Sequence, residues 1–351
     1  MSLRQSIRRW RGTVCAALLA VGPVSPPAAA QDYAAGGFAS YLQLLAARAR
    51  AEGVSESAIA SVMSGLTFNP RVIELDRAQP GASPSTAAFL AFEPYRRTHV
   101  DAARIAGGRR QYAAIAGQVA AIEQRYGVPA SILLAIWGHE TNYGSYTGDF
   151  DLARSLATLA YEGRRRDLFA QEFVGLMKMV DRGVPRYRLK GSWAGAFGNP
   201  QFLPSVYLRV AADGDGDGVA DVWSSRADTI ASIANYFRDA GWRTGQPWGI
   251  AVDVPSGLDR RTLRSDLISP RCPAVHGRHS GWKTMREWRA LGIVPQAGMW
   301  AGDEVLASLL EPDGPGRTAY LLTGNYRVIL DYNCSNYYAL SVGLLANAIA
   351  S

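Results

Sequence analysis

Along most of the chain, apolar residues recur at the three-to-four-residue spacing of a helix rather than in the alternation of a strand. Residues 38–64 place Leu42, Leu45 and Ala49 on one stripe. "VSESAIASVM" then restarts the pattern behind Ser55, which predicts a second helix capped by that serine. "FNPRVIELDRAQPGASPS" at 68–85 is broken by Pro80 and Pro84 and reads as extended or loop. Helical spacing resumes over 86–126, with "AGGRR" at 106–110 marking a break. Pro129 stands at the start of a helix that is apolar almost without relief: Ile132, Leu133, Leu134, Ile136 and Trp137 lead to Glu140, and the run breaks at Asn142 and Gly144. Further helices are predicted at 151–161 and 165–181. From 247 the pattern changes. "WGIAVDVP", "TAYLLTG" and "YRVILDY" are β-rich runs bounded by Gly, Pro and Asn, and "YYALSVGLLANAIA" returns to helix. The class is α+β, mainly α, with a small sheet inserted late.

The first thirty residues are of another kind. Arg4, Arg8, Arg9 and Arg11 precede "TVCAALLAVG", and Ala28 and Ala30 fit a small-residue cleavage rule. This is the pattern of a secretory signal peptide cut after Ala30, too short for a transmembrane span. Cys15 precedes most of the apolar run, which argues against a lipid anchor. The expected setting is periplasmic, with no stable membrane anchor. The segment holds four arginines and no acid, so the formal charge of +7 falls to +3, and nothing argues for a nucleic-acid partner. Cys272 and Cys334 remain as an even pair, which in an exported protein predicts a disulfide. In the chain-entropy model a loop that long contributes ~4 kcal/mol.

Three stretches carry candidate chemistry. Helical spacing sets Ile136 and Trp137 on the turn beneath Glu140. A carboxylate over such a surface is poorly hydrated, its pKa rises, and an acid still protonated near neutrality can act as a general acid. The second stretch is "KGSWAGAFGNPQFLPSVY" at 190–207, where small residues permit close backbone approach and Gln201 offers a donor and an acceptor amid apolar neighbours. The third is "DGDGDGVADVWSSRAD" at 213–228. Asp213, Asp215, Asp217 and Gly218 match positions 1, 3, 5 and 6 of an EF-hand loop, Val219 supplies a carbonyl, and Asp221 takes position 9. Ser224 replaces the usual bidentate glutamate, which leaves Asp228 to close a cage for a structural Ca²⁺.

Together these segments resemble the lytic murein transglycosylase B family, exported enzymes that cleave peptidoglycan glycan strands. "PRVIELDRAQP", "GVPASILLAIWGHETNYG", "TGDFDLARSLATLAYEGRRR", "LKGSWAGAFGNPQFLPS", the DGDG loop, "ASIANYFRDAGW" and "DYNCSNYYALSVGLLA" are similar to family blocks in the same order. The resemblance implies a lysozyme-like core with helical and small antiparallel β parts. It implies that Glu140, in the "W-G-x-E-[ST]" motif, is the sole catalytic acid/base, with no cofactor for the chemistry. It further implies that Ser192, Gln201, Tyr236, Tyr332, Asn333 and Tyr338 line the substrate groove. The expected organisation is a helical part at 31–115, a catalytic core at 116–246, a β-containing subdomain at 247–332 and a C-terminal helix at 333–351 packing on the helical part. Two departures from the family pattern stand beside the motifs. His139 takes the place of an apolar residue, and Pro200 precedes Gln201.

One carboxylate suffices for a lytic transglycosylase, which closes the muramoyl C6 hydroxyl onto C1 and needs no attacking water. Three rivals differ in what they require. A muramidase-type hydrolase on the same fold would recruit Asp149 or Asp151 as a second carboxylate. A non-catalytic glycan-binding protein would have no use for Glu140. A calcium-dependent interaction protein would rest on the acidic loop alone.

Overall fold

The computed structural model describes residues 35–79, 91–266, 268–297 and 300–351, so the expected signal peptide at 1–30 lies outside the described residues. In chain order the first elements are α1 (Ala35–Ala51), α2 (Glu56–Met63), α3 (Pro70–Arg77), α4 (Phe92–His99) and α5 (Ala102–Ala114). Next come α6 (Ala116–Tyr126), α7 (Ala130–Thr141), β1 (Phe150–Asp151), α8 (Leu152–Glu162), α9 (Arg166–Asp181), β2 (Lys190–Gly191), α10 (Pro204–Val210) and α11 (Arg226–Asp239). The last third holds β3 (Gly249–Asp253), α12 (Pro273–His276), β4 (Lys283–Thr284), α13 (Met285–Ala290), β5 (Val294–Pro295), β6 (Leu306–Leu310), β7 (Ala319–Leu322), α14 (Gly324–Tyr332) and α15 (Asn336–Ala350). Among the described residues no helix is long and apolar enough to cross a membrane.

The chain is mainly helical with a small antiparallel sheet. Its apolar clusters cross the expected segment bounds. One cluster centres on α7 and draws Val119 and Ile122 from α6, Ile230 and Phe237 from α11, Tyr326 and Ile329 from α14, and Leu340 and Leu345 from α15. A second joins α1, α2 and α3 to α8 and α9 through Leu45, Val62, Val72, Leu156 and Phe173. The long helix α15 lies against α7 as well as against α4, α5 and α14. Burying a leucine or isoleucine contributes ~1.5–3 kcal/mol, so the run from Ile132 to Trp137, every residue of it buried, fixes α7 firmly at the centre.

The sheet runs β4–β6–β7–β3–β5, with Leu309 opposite Leu321 and Ala251 opposite Tyr320. β7 is apolar throughout because both of its faces are covered. Tyr320 and Leu322 join the cluster around α7, while Ala319 and Leu321 face Met285 and Trp288 of α13. A two-stranded pair, β1–β2, holds Phe150 against Gly191.

Three local readings need correction. Residues 70–77 are helical: Asn69 caps α3 by accepting from the Arg71 N–H, Pro70 occupies the first turn, and Val72, Ile73 and Asp76 are buried. Gly107 and Gly108 do not break α5. They make room for the rings and methyls packed on it, since a Cβ on Gly107 would lie 2.6 Å from Tyr143 Cε2. "YRVILDY" is not a strand but α14, opened by Thr323, whose hydroxyl accepts from the Asn325 N–H. Its Tyr326, Ile329 and Leu330 fall at helical spacing on the buried face.

Candidate active site

The site begins with how α7 starts and stops. Pro129 precedes the first turn, and the Glu123 carboxylate accepts from the Ala130 N–H at 3.0 Å, which supplies the cap that a proline cannot. At the other end Asn142 and Tyr143 both take left-handed backbone, at φ 48° and 59°. The Tyr143 N–H returns to the Trp137 carbonyl, and the Tyr143 hydroxyl donates to the Arg104 carbonyl at 2.8 Å. The chain thus turns away immediately after Glu140, and Tyr143 packs over Gly138, where a Cβ would lie 2.7 Å from its ring.

Glu140 stands over buried Ile136 and Trp137 and keeps part of its own surface open. Desolvation pushes its carboxyl up to about 8, against a smaller downward pull from the Tyr338 hydroxyl. That hydroxyl donates to Glu140 Oε1 at 2.6 Å from the first turn of α15. The carboxyl is therefore protonated through the neutral range, and the donor would favour its ionised form once the proton leaves. Tyr332 lies close enough to be affected by the Glu140 charge, and its own ionisation is pushed far up, first by burial and then by that charge.

The two departures have visible consequences. His139 is half-buried as a residue, and desolvation of its ring against α15 pushes it down to about 3, so the ring is neutral. Gln201, after Pro200, sits at φ 51° and donates its amide to the Thr147 and Gly198 carbonyls at 3.1 and 2.9 Å. Pro200 offers its carbonyl to the Tyr332 hydroxyl at 2.5 Å. Gln201 therefore ties the loop after α7 to the block at 190–202.

The other expected groove residues are placed in three ways. Tyr236 donates to the Asp331 carbonyl at 2.8 Å, and its ring meets Tyr332 edge-on at 4.8 Å, so these two and Asn333, at the end of α14, lie together. Ser192 is different. Its hydroxyl accepts from the Ala196 N–H at 3.0 Å, which caps its own turn. The small residues around it serve close backbone packing: a Cβ at Gly148 would lie 2.7 Å from the Ser192 nitrogen. Tyr338 is buried and turned onto Glu140 rather than lying open along a groove.

Asn199 escaped the sequence reading. It is buried, accepts from Trp137 Nε1 at 3.1 Å, and donates to the Trp223 carbonyl and Thr229 Oγ1. Its own carbonyl takes the Thr141 hydroxyl at 3.0 Å. One side chain thus joins the end of α7 to the 190–202 block and to α11. Its only signal was a polar residue between Gly198 and Pro200 in a small-residue run.

In the acidic loop, carboxylate oxygens of Asp213, Asp215 and Asp228 lie within 4.8 Å of one another. Asp217 is not in that group and accepts from the Val219 N–H; the Val219 side chain is exposed. Asp221 turns away to Arg188, at 2.7 Å, and to Ser224. Asp228 is buried and accepts from the Gly214 and Asp221 N–H groups, each at 2.7 Å. Three hard oxygen donors fit Ca²⁺ chemistry. Cys272 and Cys334 are joined, with Cα atoms 5.7 Å apart.

Comparison with known proteins follows the same lines. The family described as transglycosylase SLT domain matches residues 37–347. Membrane-bound lytic murein transglycosylase B of Escherichia coli is 34% identical over 233 residues, which is 65% of this chain and 58% of that protein. The chain thus spans less than two thirds of that relative's length. SltB3 of Pseudomonas aeruginosa, solved in complex with NAG-NAM-pentapeptide, superposes with a TM-score of 0.79 at 35% identity, covering 90% of this chain and 80% of that one. The Escherichia coli lytic transglycosylase Slt35, solved in complex with calcium, gives 0.70 at 26%, covering 91% and 94%. With a family match across most of its length and the same fold as these enzymes, the chain belongs to the transglycosylase SLT domain family, as a lytic murein transglycosylase B type.

Proposed function

We propose that this protein is a peptidoglycan lytic transglycosylase in which Glu140 alone serves as acid and then base. The observation that carries the reading is the Glu140 carboxyl at the end of a buried helix, pushed up to about 8, with Tyr338 as its donor. A protonated carboxyl donates to the glycosidic oxygen between N-acetylmuramic acid and N-acetylglucosamine. The C1–O bond breaks through an oxocarbenium-like state that the substrate's own acetamido group can support. Glu140, now a carboxylate stabilised by the Tyr338 hydroxyl, takes the proton of the muramoyl C6 hydroxyl. That oxygen bonds to C1, the 1,6-anhydro ring closes, and Glu140 is protonated again.

A hydrolase would need a second carboxylate to activate water. Asp151 is poorly suited, since it accepts from the Arg154 N–H as the cap of α8 and pairs with Arg186 at 2.7 Å. Asp149 is exposed on the loop before β1. The NAG-NAM-pentapeptide held by SltB3 supports glycan strands as the substrate here. We read Gln201, Tyr236, Tyr332, Asn333 and Ser192 as groove residues or their supports, and 116–246 as the segment that carries the chemistry. Asp213, Asp215 and Asp228 would hold a structural Ca²⁺, and export by the segment ending at Ala30 would deliver the enzyme to the cell wall.

The test is the mass of products from purified peptidoglycan. Disaccharide-peptides lighter by one water than hydrolytic muropeptides support the reading; products carrying that water contradict it.

A further inference from the structure

His139 is next to Glu140 in sequence, yet its ring faces the other way, into the seam between α7 and α15. Its Nδ1 is 2.9 Å from the Ala135 carbonyl. A carbonyl only accepts, so Nδ1 carries the proton. The neutral ring then has an acceptor at Nε2, and the Ser341 hydroxyl lies 2.8 Å from it. Ser341 is fully buried and lies 2.8 Å from the Tyr338 carbonyl as well, so its single hydroxyl proton is shared between two acceptors, Nε2 and that carbonyl. The His139 ring also packs edge-on against the Tyr338 ring, at 5.5 Å and 74°. One imidazole therefore touches the tyrosine that donates to Glu140 in two ways: directly, ring against ring, and through Ser341 one turn further along α15.

A stacked ring holds the imidazole from behind. His99 lies nearly parallel to it at 6.0 Å and is itself stacked on Tyr95 at 3.8 Å. The charged and titratable groups facing His139 are Tyr338 from α15, His99 from α4 and Arg104 from α5. Those facing Glu140 are Tyr338 and Tyr332. A cation at position 139 would meet Arg104 and, at low pH, a charged His99. The neutral ring meets no such repulsion, and that is the form its hydrogen bonds require.

We propose that His139 is a positioning residue that holds the Tyr338 hydroxyl on Glu140 through Ser341 and the ring contact, and thereby sets how readily Glu140 gives up and regains its proton. The inference rests on Glu140 as the acid/base, but its physical content is a coupling between two side chains that can be measured without turnover. Tyr338 donates to the carboxylate and favours the ionised form. Loosening Tyr338 must therefore raise the Glu140 midpoint and delay the base step.

The experiment uses the whole mature protein with ¹³C-labelled glutamate and follows the Glu140 carboxyl by NMR titration, identified by its loss in Glu140→Gln. His139→Leu keeps much of the volume and removes both hydrogen bonds. It should move the midpoint up by about one pH unit, the scale of a hydrogen bond to a charged group. Ser341→Ala cuts the link from the other side, leaves the imidazole in place, and should move the midpoint the same way by less. His139→Gln, whose amide can still meet Ser341, should return part of the shift. In a Tyr338→Phe background His139→Leu should add nothing. The alkaline limb of the pH–rate profile should follow the same order. An unmoved midpoint in both His139→Leu and Ser341→Ala, with unfolding transitions still cooperative, overturns the inference. So does an equal shift from His139→Leu when Tyr338 is already Phe. Turnover retained by Glu140→Gln would overturn the catalytic reading instead, and the titration would still decide the coupling.

Discussion

Carboxylates at the end of α7 and in the loop at 213–228 obey opposite rules. Glu140 lies over Ile136 and Trp137, has one side-chain donor, and is pushed up to about 8 by desolvation. Asp213 is half-buried and accepts from the Gly218 and Gly216 N–H groups, which hold its carboxyl below the usual range. The first region keeps a proton to give; the second keeps negative charge to hold a cation. Hydration and the number of N–H donors assign these roles, since the carboxyl group is the same. Asp228 shows both influences at once. Burial raises it, and the two backbone N–H groups pull it back.

The largest effect should come from removing the proton. Glu140→Gln keeps the shape but cannot act as an acid, and turnover on purified peptidoglycan should fall by at least ~10²-fold. Near wild-type turnover at matched thermal stability would remove the contrast with the acidic loop. Tyr338→Phe should be milder. With the donor gone the carboxylate is less stable, so the alkaline limb should move to higher pH and the rate near neutrality should fall by roughly tenfold. A limb that moves down would mean that Tyr338 favours the protonated form.

A stability measurement sharpens the same point. The folded carboxyl of Glu140 titrates at about 8 against an ordinary value of 4.5. The folded state therefore holds the proton more tightly than the unfolded chain. That contribution is fully present below 4.5 and is lost as pH rises through about 8. Glu140→Gln has no proton to lose, so its melting temperature relative to wild type should climb across that window and level off above it. A difference independent of pH would place Glu140 in water. The smallest effect belongs to the loop. Millimolar calcium against chelator should raise the wild-type melting point by a few degrees, in line with ~2.7 kcal/mol at a hundredfold excess over Kd. Asp215→Ala should lose that gain, and an equal rise in the variant would exclude the loop as the site.

How much the sequence disclosed depended on whether burial left a period. α7 was legible because five large apolar residues in six positions end in one acid, and the resemblance named that acid. Ser55 was legible as a cap because capping is local chemistry, and its hydroxyl does accept from the Ala58 N–H. β6 was missed because its polar Ser308 is buried along with its neighbours, which leaves no alternation to see. α14 was misread because Val328 and Ile329 look like a strand until Thr323 is recognised as a cap. The bond from Tyr338 to Glu140 spans 198 residues of sequence, and no local pattern encodes a contact made by packing α15 on α7. Asn199 was invisible for the same reason, since its partners lie on α7, α11 and the loop before α11.

The most direct test of the account is the titration of the Glu140 carboxyl in the wild-type protein, observed by ¹³C NMR and assigned by its absence in Glu140→Gln. Desolvation over Ile136 and Trp137 predicts a midpoint of about 8, far above the other glutamates that water reaches. A midpoint in the ordinary carboxylate range would show that water reaches Glu140 as freely as it reaches the acidic loop, and would contradict the account.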